Sequence, residues 1–496
     1  MILLCVCYII GMELETTTCY QALQARDTRF DGEFFVGVRT TGIYCRPICT
    51  AKTPRQENCR FFASAGAAER AGFRPCLRCR PELAPGHAPV DANSRLAATA
   101  YTRIEEGALS VGGVEDLAQE LGVTSRHLRR LVETAFGVSP VALAQTQRLL
   151  LAKRLLTDTD LSVTDVAFAS GFASLRRFNA LFRERYRLNP TELRKTRLAD
   201  AIPTILTFEL AYRPPLDWDA LLRFLAGRAS CGVEAREGRR YLRTVRMKGY
   251  SGWLTVESTV GRSTLRLDVS ASLAPVLLPL LSRVRRLFDL SADPQQIAAH
   301  LGALAEAHPG LRVPGAFDGF EMGVRAILGQ QVSVRAASTL AGRVAARFGE
   351  PIQTPFAGLT HLFPTPERIA EAETAELTAL GIVTARAEAI RSLARELASG
   401  RLRLEPGHDT EATVARLQTL PGIGEWTAHY LAMRALGWPD AFPHTDLAIR
   451  KAMGDLSPRR LLEEAEKWRP WRAYAAMHLW KSLENASDVK TKEQKP

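Results

Sequence analysis

Cysteine is almost missing from most of this chain. Of nine cysteines in 496 residues, only Cys231 lies beyond residue 79. A cysteine-ligated iron–sulfur cluster needs several thiolates, so no such cluster is expected after Cys231. The uneven distribution also argues against a secreted disulfide framework and favours a metal site in a reducing cytoplasm.

Long apolar runs are absent as well, which predicts a protein without membrane spans. The apolar residues 1–11 are too few to cross a bilayer and include no basic residue. We therefore expect the native chain to start at Met12, with the preceding residues arising from a start codon assigned too early. N-terminal sequencing of the native protein tests this expectation.

Lysine is scarce, with 10 residues against 55 arginines, and the formal net charge is +12. Arginine forks match phosphate oxygens, so this balance favours a polyanionic partner. A chain of 496 residues is too long for one hydrophobic core, and three or four domains are expected.

The cysteines that are present form two close pairs, Cys45-x3-Cys49 and Cys76-x2-Cys79. Four thiolates in two pairs are the ligand set of tetrahedral zinc, so one zinc ion is predicted. A thiol held by zinc is deprotonated at neutral pH and is nucleophilic. The alternative is a closed site that only folds its domain. Cys59 lies outside both pairs and is expected to be a small buried residue.

Residues 31–47 and 72–79 resemble the Ada-type methylphosphotriester sensor family. The resemblance covers residues 12–81 and implies a small zinc-bound α+β domain. It implies that Cys45 accepts a methyl group from damaged DNA backbone, with Cys49, Cys76 and Cys79 as the other zinc ligands. Methylation would remove one negative charge, so affinity for DNA should rise. Ada-type proteins often also carry a separate methylguanine transferase with a reactive Pro-Cys-His-Arg motif. This sequence lacks that motif, so no repair of O-alkylated guanine is expected.

After a linker at residues 81–89, a short helix, a glycine turn and an arginine-bearing helix occur twice. The copies span residues 114–136 and 163–186. This arrangement is typical of helix-turn-helix units that enter neighbouring major grooves, and the alternative is a structural helical bundle. The candidate base readers are the side chains near the starts of the two second helices: Ser125, Arg126, Ser174 and Arg177.

The second copy resembles the AraC-type regulator signature, which it carries as Gly171-Phe172, Ser174, Phe178 and Pro190. The resemblance covers residues 91–197. It implies an all-α double helix-turn-helix domain that binds promoter DNA.

From residue 204 the pattern alternates as in half-buried antiparallel strands, at residues 204–210, 253–257 and 264–269. Helical periodicity then takes over. These patterns predict a small antiparallel α+β domain over residues 203–282 and an all-α body over residues 283–485. The expected fold is therefore multidomain and mainly α, with α+β parts.

A glycine hairpin interrupts the predicted helical body. Gly422 and Gly424 flank one apolar residue, so the backbone can turn sharply and approach a ligand closely. The next helix would present free N–H groups and the positive end of its dipole to a DNA phosphate. Asp446 lies in a later loop, near the start of another helix. The alternatives are a hairpin that merely grips DNA and an aspartate that merely caps a helix.

From residue 203 to the C-terminus the chain resembles the 3-methyladenine DNA glycosylase II (AlkA-type) helix-hairpin-helix family. The resemblance implies that Asp446 is the catalytic carboxylate and that Trp426, Tyr430 and Trp480 line the base pocket. Relatives that also nick DNA carry a lysine where this chain has Trp426, so a monofunctional glycosylase without lyase activity is expected. Gln330 and Gln331 match the family's wedge position, where an apolar residue is usual.

The chemistry of such a reaction is simple. An alkylated purine carries positive charge and leaves readily, so the developing sugar cation is what a carboxylate must stabilise. Flipping the base costs a few kcal/mol, and electron-rich rings favour a cationic base by ~0.5–2 kcal/mol per contact.

The whole sequence predicts a fused alkylation-damage responder, a cytoplasmic, nucleoid-associated monomer. Its expected partners are damaged and promoter double-stranded DNA, with RNA polymerase as a further candidate. Two alternatives stay open: a regulator whose glycosylase half is a passive clamp, and a repair enzyme whose front half only locates damage. Release of free alkylpurines that is lost in Asp446→Asn would exclude the passive clamp. Promoter activation after alkylation by a Cys45→Ala variant would exclude the sensor role of Cys45.

Overall fold

The computed structural model describes residues 16–85, 92–194, 204–406 and 409–493. The expected start at Met12 and the expected boundary at residues 201–203 lie outside these ranges. Two compact units make up the chain. Unit 1 comprises Met1–Thr204, Ala211–Arg213 and Ala274–Ser282, and unit 2 comprises Ile205–Leu210, Pro214–Leu273 and Arg283–Pro496.

Unit 1 begins with a small sheet of order β3–β1–β2–β4, in which β1 is antiparallel to both neighbours and β2 is parallel to β4. Ten helices of unit 1 are described. The strands are β1 (Phe35–Val38), β2 (Ile43–Cys45), β3 (Cys59–Phe62) and β4 (Arg74–Pro75). The helices are α1 (Thr16–Ala25), α2 (Ala65–Arg70), α3 (Ala92–Glu105), α4 (Ala108–Val111), α5 (Val114–Glu120), α6 (Ser125–Phe136), α7 (Pro140–Asp158), α8 (Val163–Ala169), α9 (Leu175–Tyr186) and α10 (Pro190–Leu193).

The sheet and the helices of unit 1 share a buried polar contact. Glu69 of α2 accepts hydrogen bonds from the hydroxyls of Tyr44 on β2, at 3.1 Å, and Thr146 on α7, at 3.0 Å. The expected linker is also packed where it is described: the side chain of Glu82 is 2% exposed and pairs with Lys153 of α7 at 2.6 Å. An ion pair in a dry setting needs close geometry, so residues 81–85 are held against α7. Residues 86–89 of the expected linker lie outside the described residues.

Unit 2 contains a five-stranded sheet of order β5–β9–β8–β7–β6. The strands are β5 (Ile205–Ala211), β6 (Glu234–Glu237), β7 (Arg240–Met247), β8 (Tyr250–Ser258) and β9 (Thr264–Ser270). Strand β7 escaped the sequence patterns because arginines interrupt its apolar alternation. One of them, Arg243, is buried and donates to Glu321 at 2.8 Å.

The remainder of unit 2 is helical, and one of its helices, α12, begins in unit 1 with residues 277–282. Helix α12 runs across the predicted boundary between residues 282 and 283. The helices are α11 (Trp218–Gly227), α12 (Leu277–Leu287), α13 (Pro294–Leu301), α14 (Ala303–Glu306), α15 (Gly319–Leu328), α16 (Val334–Phe348), α17 (Pro366–Glu371), α18 (Thr374–Thr378), α19 (Thr384–Ala398), α20 (Thr410–Gln418), α21 (Glu425–Arg434), α22 (Leu447–Ala452), α23 (Pro458–Ala465) and α24 (Arg472–Glu493).

These elements confirm the predicted fold class: a small sheet domain, a helical region, a second sheet and a helical body. The predicted domain boundaries stay predictions. Among the described residues, no helix combines the length and the apolar character that crossing a bilayer requires.

Candidate functional site

The glycine hairpin joins α20 to α21 and leaves the start of α21 open. Gly422 has φ +73°, and a Cβ there would lie 2.7 Å from the Cβ of Ala389, so glycine is required. Gly424 is the N-cap of α21, offers no side-chain cap, and has nothing within 4 Å of the place where a Cβ would stand. The first N–H groups of α21 are therefore accessible to an anion.

Gln330, which follows α15, fastens the hairpin from the other side. Its side-chain amide donates to the carbonyl oxygen of Gly422 at 2.7 Å and to the Thr427 hydroxyl at 3.0 Å. The next residue, Gln331, is exposed and has φ +51°. Of the two glutamines expected at the wedge position, Gln331 thus projects from the surface while the Gln330 amide is engaged within the protein.

Asp446 is the N-cap of α22, and its carboxylate collects four N–H donors. Oδ1 accepts from the backbone of Ala448 and Ile449, both at 2.9 Å, and from the indole of Trp480 at 3.1 Å. Oδ2 accepts from the indole of Trp426 at 2.7 Å. Four donors match the acceptor-only character of an ionised carboxylate. Asp446 therefore acts as a helix N-cap, but capping does not account for the two further hydrogen bonds that its carboxylate accepts from indoles.

The aromatic residues expected in the pocket lie together. The rings of Trp426 and Tyr430 are stacked, with centroids 5.1 Å apart and planes 8° apart. Trp480 is tilted against Tyr430, with centroids 6.3 Å apart. All three rings and Asp446 line one cleft of about 1580 Å³. The structure therefore brings together every residue predicted for the base pocket.

The sequence patterns missed the arginines around Tyr430. Arg434, fully buried one turn further along α21, donates to the Tyr430 hydroxyl at 2.7 Å. Burial alone would raise the pKa of the Tyr430 phenol, but the charges of Arg434, Arg228 and Arg325 lower it below its ordinary value. Spacing could have indicated Arg434, because residues 426, 430 and 434 share one helix face.

Two buried carboxylates balance part of this positive charge. Arg325 donates to Glu234 at 2.7 Å and to Glu321 at 3.0 Å, and Arg243 completes the cluster. Burial opposes ionisation of Glu234, but Arg325 and Arg243 outweigh it and lower the pKa of Glu234. The cluster fixes α15 against the sheet, directly behind the cleft.

The four paired cysteines of unit 1 converge. Their sulfur atoms all lie within 4.8 Å of one another, and all four thiols are free of disulfides. Zinc–sulfur bonds of about 2.3 Å place four tetrahedral sulfurs roughly 3.8 Å apart, so the site fits zinc. Cys45, at the end of β2, is 9% exposed. Cys59 is buried outside the site, as expected.

Backbone and charged groups shape this centre further. The N–H of Arg46 donates to the sulfur of Cys79 at 3.3 Å, and that of Arg78 donates to Cys76 at 3.4 Å. The buried side chain of Arg46 donates to Asp31 at 2.7 Å, which holds the chain beside Cys45 in place. Donation to a sulfur withdraws electron density from it and makes it a weaker nucleophile.

The predicted helix-turn-helix residues stand at two helix starts in unit 1. Ser174 caps α9, and its hydroxyl accepts from the backbone of Arg177 at 3.4 Å. Ser125 is the first residue of α6, which Thr124 caps. Arg126 and Arg177 are exposed. The Ser174 hydroxyl is thus engaged as a helix cap, and Ser125 lies next to one. The side chains of Arg126 and Arg177 are therefore more available to contact DNA.

Four family models match successive parts of the chain. Residues 18–82 match the metal binding domain of Ada, and residues 117–196 match a helix-turn-helix domain. Residues 207–318 match the AlkA N-terminal domain, and residues 324–468 match the HhH-GPD superfamily base excision DNA repair protein. The expected fusion is confirmed. Together with the four close thiols, the first match indicates one zinc ion, and DNA is a partner of the chain.

Curated relatives show the same division. DNA-3-methyladenine glycosylase 2 of Escherichia coli is 42% identical over 55% of this chain and 96% of its own length. The bifunctional transcriptional activator/DNA repair enzyme Ada of Escherichia coli is 37% identical over 31% of this chain and 42% of its own.

One relative matches along almost the full length of both chains. The probable bifunctional transcriptional activator/DNA repair enzyme AlkA of Mycobacterium tuberculosis is 40% identical over 94% of this chain and 96% of its own. The chain belongs to this family of bifunctional transcriptional activator/DNA repair enzymes.

Proposed function

We propose that unit 2 is a monofunctional DNA glycosylase that hydrolyses the N-glycosidic bond of alkylated purines of the 3-methyladenine class. The observation that carries the proposal is the Asp446 carboxylate, gripped by the indoles of Trp426 and Trp480 at the wall of one aromatic cleft. Such a cleft accepts a flipped, positively charged base, and the carboxylate faces the sugar that the base leaves behind.

The two oxygens of Asp446 have different tasks. Oδ1 accepts three of the hydrogen bonds, whereas Oδ2 accepts the single bond from Trp426 and keeps a lone pair for the reaction. The bond between C1′ and the base nitrogen breaks, and its electron pair neutralises the base. Oδ2 stabilises the sugar cation until water adds to C1′, and the carboxylate takes the proton that the water loses.

The side chain at position 426 supports hydrolysis without strand cleavage. An indole has no amine that could attack C1′ and form a Schiff base, so the product is an intact abasic strand. Gln331, exposed at the rim of the cleft, would fill the gap in the duplex, while Gln330 and the N–H groups at the start of α21 hold the hairpin on a phosphate.

For unit 1 we propose that Cys45 accepts a methyl group from DNA methylphosphotriesters. Zinc keeps the four sulfurs as thiolates when it is bound. The Cys45 sulfur forms a bond to the methyl carbon, the carbon–oxygen bond breaks, and a phosphodiester anion leaves. Hydrogen bonds to Cys76 and Cys79 weaken those two sulfurs as competing nucleophiles, which supports the assignment to Cys45.

Methylated unit 1 would then hold promoter DNA through α6 and α9, with Arg126 and Arg177 as the principal side chains. Loss of one negative charge near the DNA raises affinity for phosphate. RNA polymerase as a partner, a monomeric state, and a cytoplasmic, nucleoid-associated location all belong to the same proposal.

Base release tests the glycosylase directly. The purified full chain is incubated with methylated duplex DNA, and free alkylpurines are separated from the DNA. The proposal expects free 3-methyladenine and DNA that breaks only after alkali treatment. Binding without release would mean that unit 2 is a clamp, and breakage without alkali would contradict the monofunctional assignment.

A further inference from the structure

Three side chains in unit 2 that base excision leaves unused meet beside the cleft. Glu425 and His429 lie one turn apart on α21, and His444 lies two residues before Asp446. One carboxylate oxygen of Glu425 and one ring nitrogen of each histidine all lie within 4.8 Å of one another. The lining of the cleft includes none of the three.

The orientation of His444 leaves one nitrogen directed at a carboxylate. Its Nδ1 lies 3.4 Å from the carbonyl oxygen of Phe442, and its Nε2 lies 3.2 Å from Oε1 of Glu425. When Nδ1 donates to that carbonyl, Nε2 needs either a second proton or a metal ion to face the carboxylate. A carbonyl that holds the far nitrogen is the usual companion of a metal-ligating histidine.

His429 supplies an independent indication. Its Nδ1 is buried and has no hydrogen-bond partner. The ring lies edge-on to His444, with centroids 5.9 Å apart, and roughly parallel to Trp438 at 6.4 Å. One ring nitrogen of His429 belongs to the cluster, and no protein group competes with a metal ion for Nδ1.

We propose that Glu425, His429 and His444 bind a second divalent metal ion of the zinc class. Two imidazoles and one carboxylate are a known ligand set of an open zinc site. Ligand bonds of about 2.1 Å place tetrahedral ligand atoms roughly 3.4 Å apart, close to the 3.2 Å between His444 and Glu425.

The position of the site defines its role. Glu425 begins α21, which carries Trp426 and Tyr430, and His444 stands in the loop that carries Asp446. A metal ion bound by both segments fixes this loop to α21. It therefore holds the Asp446 carboxylate in place relative to the rings of Trp426 and Tyr430. The Glu425 side chain is 48% exposed, so the ion is reachable from solvent and its fourth position is open to water.

Metal content of the full chain tests this proposal separately from base release. The chain is stripped with a chelator, reloaded with zinc and freed of excess metal. We expect two zinc equivalents for the wild type and one for His429→Ala and for Glu425→Gln. If His429→Ala fails to fold, Glu425→Gln still tests the site, because position 425 is exposed and glutamine has the shape of glutamate. His300→Ala, which changes an exposed histidine elsewhere in unit 2, should retain two.

Cobalt substitution identifies which site is filled. The four-cysteine site gives thiolate-to-cobalt charge-transfer bands, whereas the proposed site adds only visible bands of nitrogen and oxygen ligation. We expect Glu425→Gln to lose the latter alone. A wild-type chain that binds one equivalent, with a cobalt spectrum unchanged by Glu425→Gln, would overturn the proposal and leave Glu425 and His444 as an ion pair.

Discussion

Trp426 donates its indole N–H to the carboxylate of Asp446 across 2.7 Å. The bond joins the helix after the glycine hairpin to the start of α22. It therefore couples the element proposed to grip DNA to the group proposed to act on the sugar. The same side chain stacks on Tyr430, so one residue sets both the carboxylate and the aromatic wall.

Trp426→Phe should slow base excision while leaving an aromatic ring in place. A hydrogen bond to a charged group contributes about 1.5–3 kcal/mol, which corresponds to roughly 10–150-fold in the single-turnover rate constant. Trp218→Phe is the matched control, because it removes an indole hydrogen bond, to the carbonyl of Arg239 at 3.0 Å, away from the cleft. Equal rates for Trp426→Phe and Trp218→Phe would contradict the role given to this bond.

The two hairpin glycines should respond differently to alanine. Gly422→Ala meets both a left-handed backbone and the Cβ of Ala389, so we expect a stability loss of about 1–3 kcal/mol in unit 2. Gly424→Ala meets open space and should cost less, about 0.5–1 kcal/mol, because alanine is a poorer N-cap than glycine, but its methyl group stands where a phosphate approaches. Tryptophan fluorescence reports stability, since all seven tryptophans follow residue 204. A Gly424→Ala chain with wild-type DNA affinity would refute the phosphate contact.

Much of the excision site could be predicted from the sequence because its signals are local. A glycine pair between two helical patterns requires a turn, and residues 426 and 430 share a helix face by spacing alone. The loop pattern predicts Asp446 near a helix start beside the hairpin, and its catalytic role is implied by the resemblance; the hydrogen bond from Trp426 to Asp446 is visible only in the structure.

The remaining groups depend on contacts between distant segments. Arg325 and Arg228 reach Tyr430 only because α15 and the end of α11 fold onto α21, which no periodicity encodes. The contact of Gln330 is also invisible in the sequence, because its side-chain amide donates to the carbonyl oxygen of Gly422, ninety-two residues away. The sequence pattern also fails to predict strand β7, because a buried arginine in a strand depends on carboxylates from other segments. Arg243 pairs with Glu234 and Glu321.

Methyl transfer should modify Cys45 and not the more exposed Cys79. The zinc-loaded full chain is incubated with DNA that carries methylphosphotriesters, and the modified peptide is located by mass spectrometry. We expect one methyl group per chain, on Cys45. Cys59→Ala, which alters a buried cysteine outside the site, should take up methyl normally. A methyl group on Cys79 would show that exposure selects the nucleophile and would contradict the assignment.

Glu69 should make unit 1 sensitive to pH. Burial raises the pKa of Glu69 from 4.5 to about 7, although hydrogen bonds from Thr146 and Tyr44 partly oppose the shift. Between these two pH values the folded carboxyl stays protonated while the unfolded one is ionised. Its stabilising contribution is therefore fully present below pH 4.5 and is lost as the pH rises to about 7, by ~3 kcal/mol at most.

Hydrogen exchange of peptides from α2 and α7 measures this effect, because it reports opening of unit 1 alone. The difference between wild type and Glu69→Gln at each pH cancels the intrinsic exchange rate. We expect the wild type to lose protection relative to the variant from pH 5 to pH 7 and then to level off. The exposed Glu133→Gln should show no trend. A difference that is constant with pH would rule out titration of Glu69 in this range.

The most direct test of the account is the single-turnover excision rate of Asp446→Asn on duplex DNA that contains an alkylated purine. Asparagine still caps α22 but carries no charge. The matched control is Asp409→Asn, which makes the same change at the N-cap of α20. We predict a loss of about 10²–10³-fold for Asp446→Asn with DNA affinity preserved, and none for the control. Wild-type excision by Asp446→Asn would contradict the central claim that this carboxylate stabilises the sugar cation.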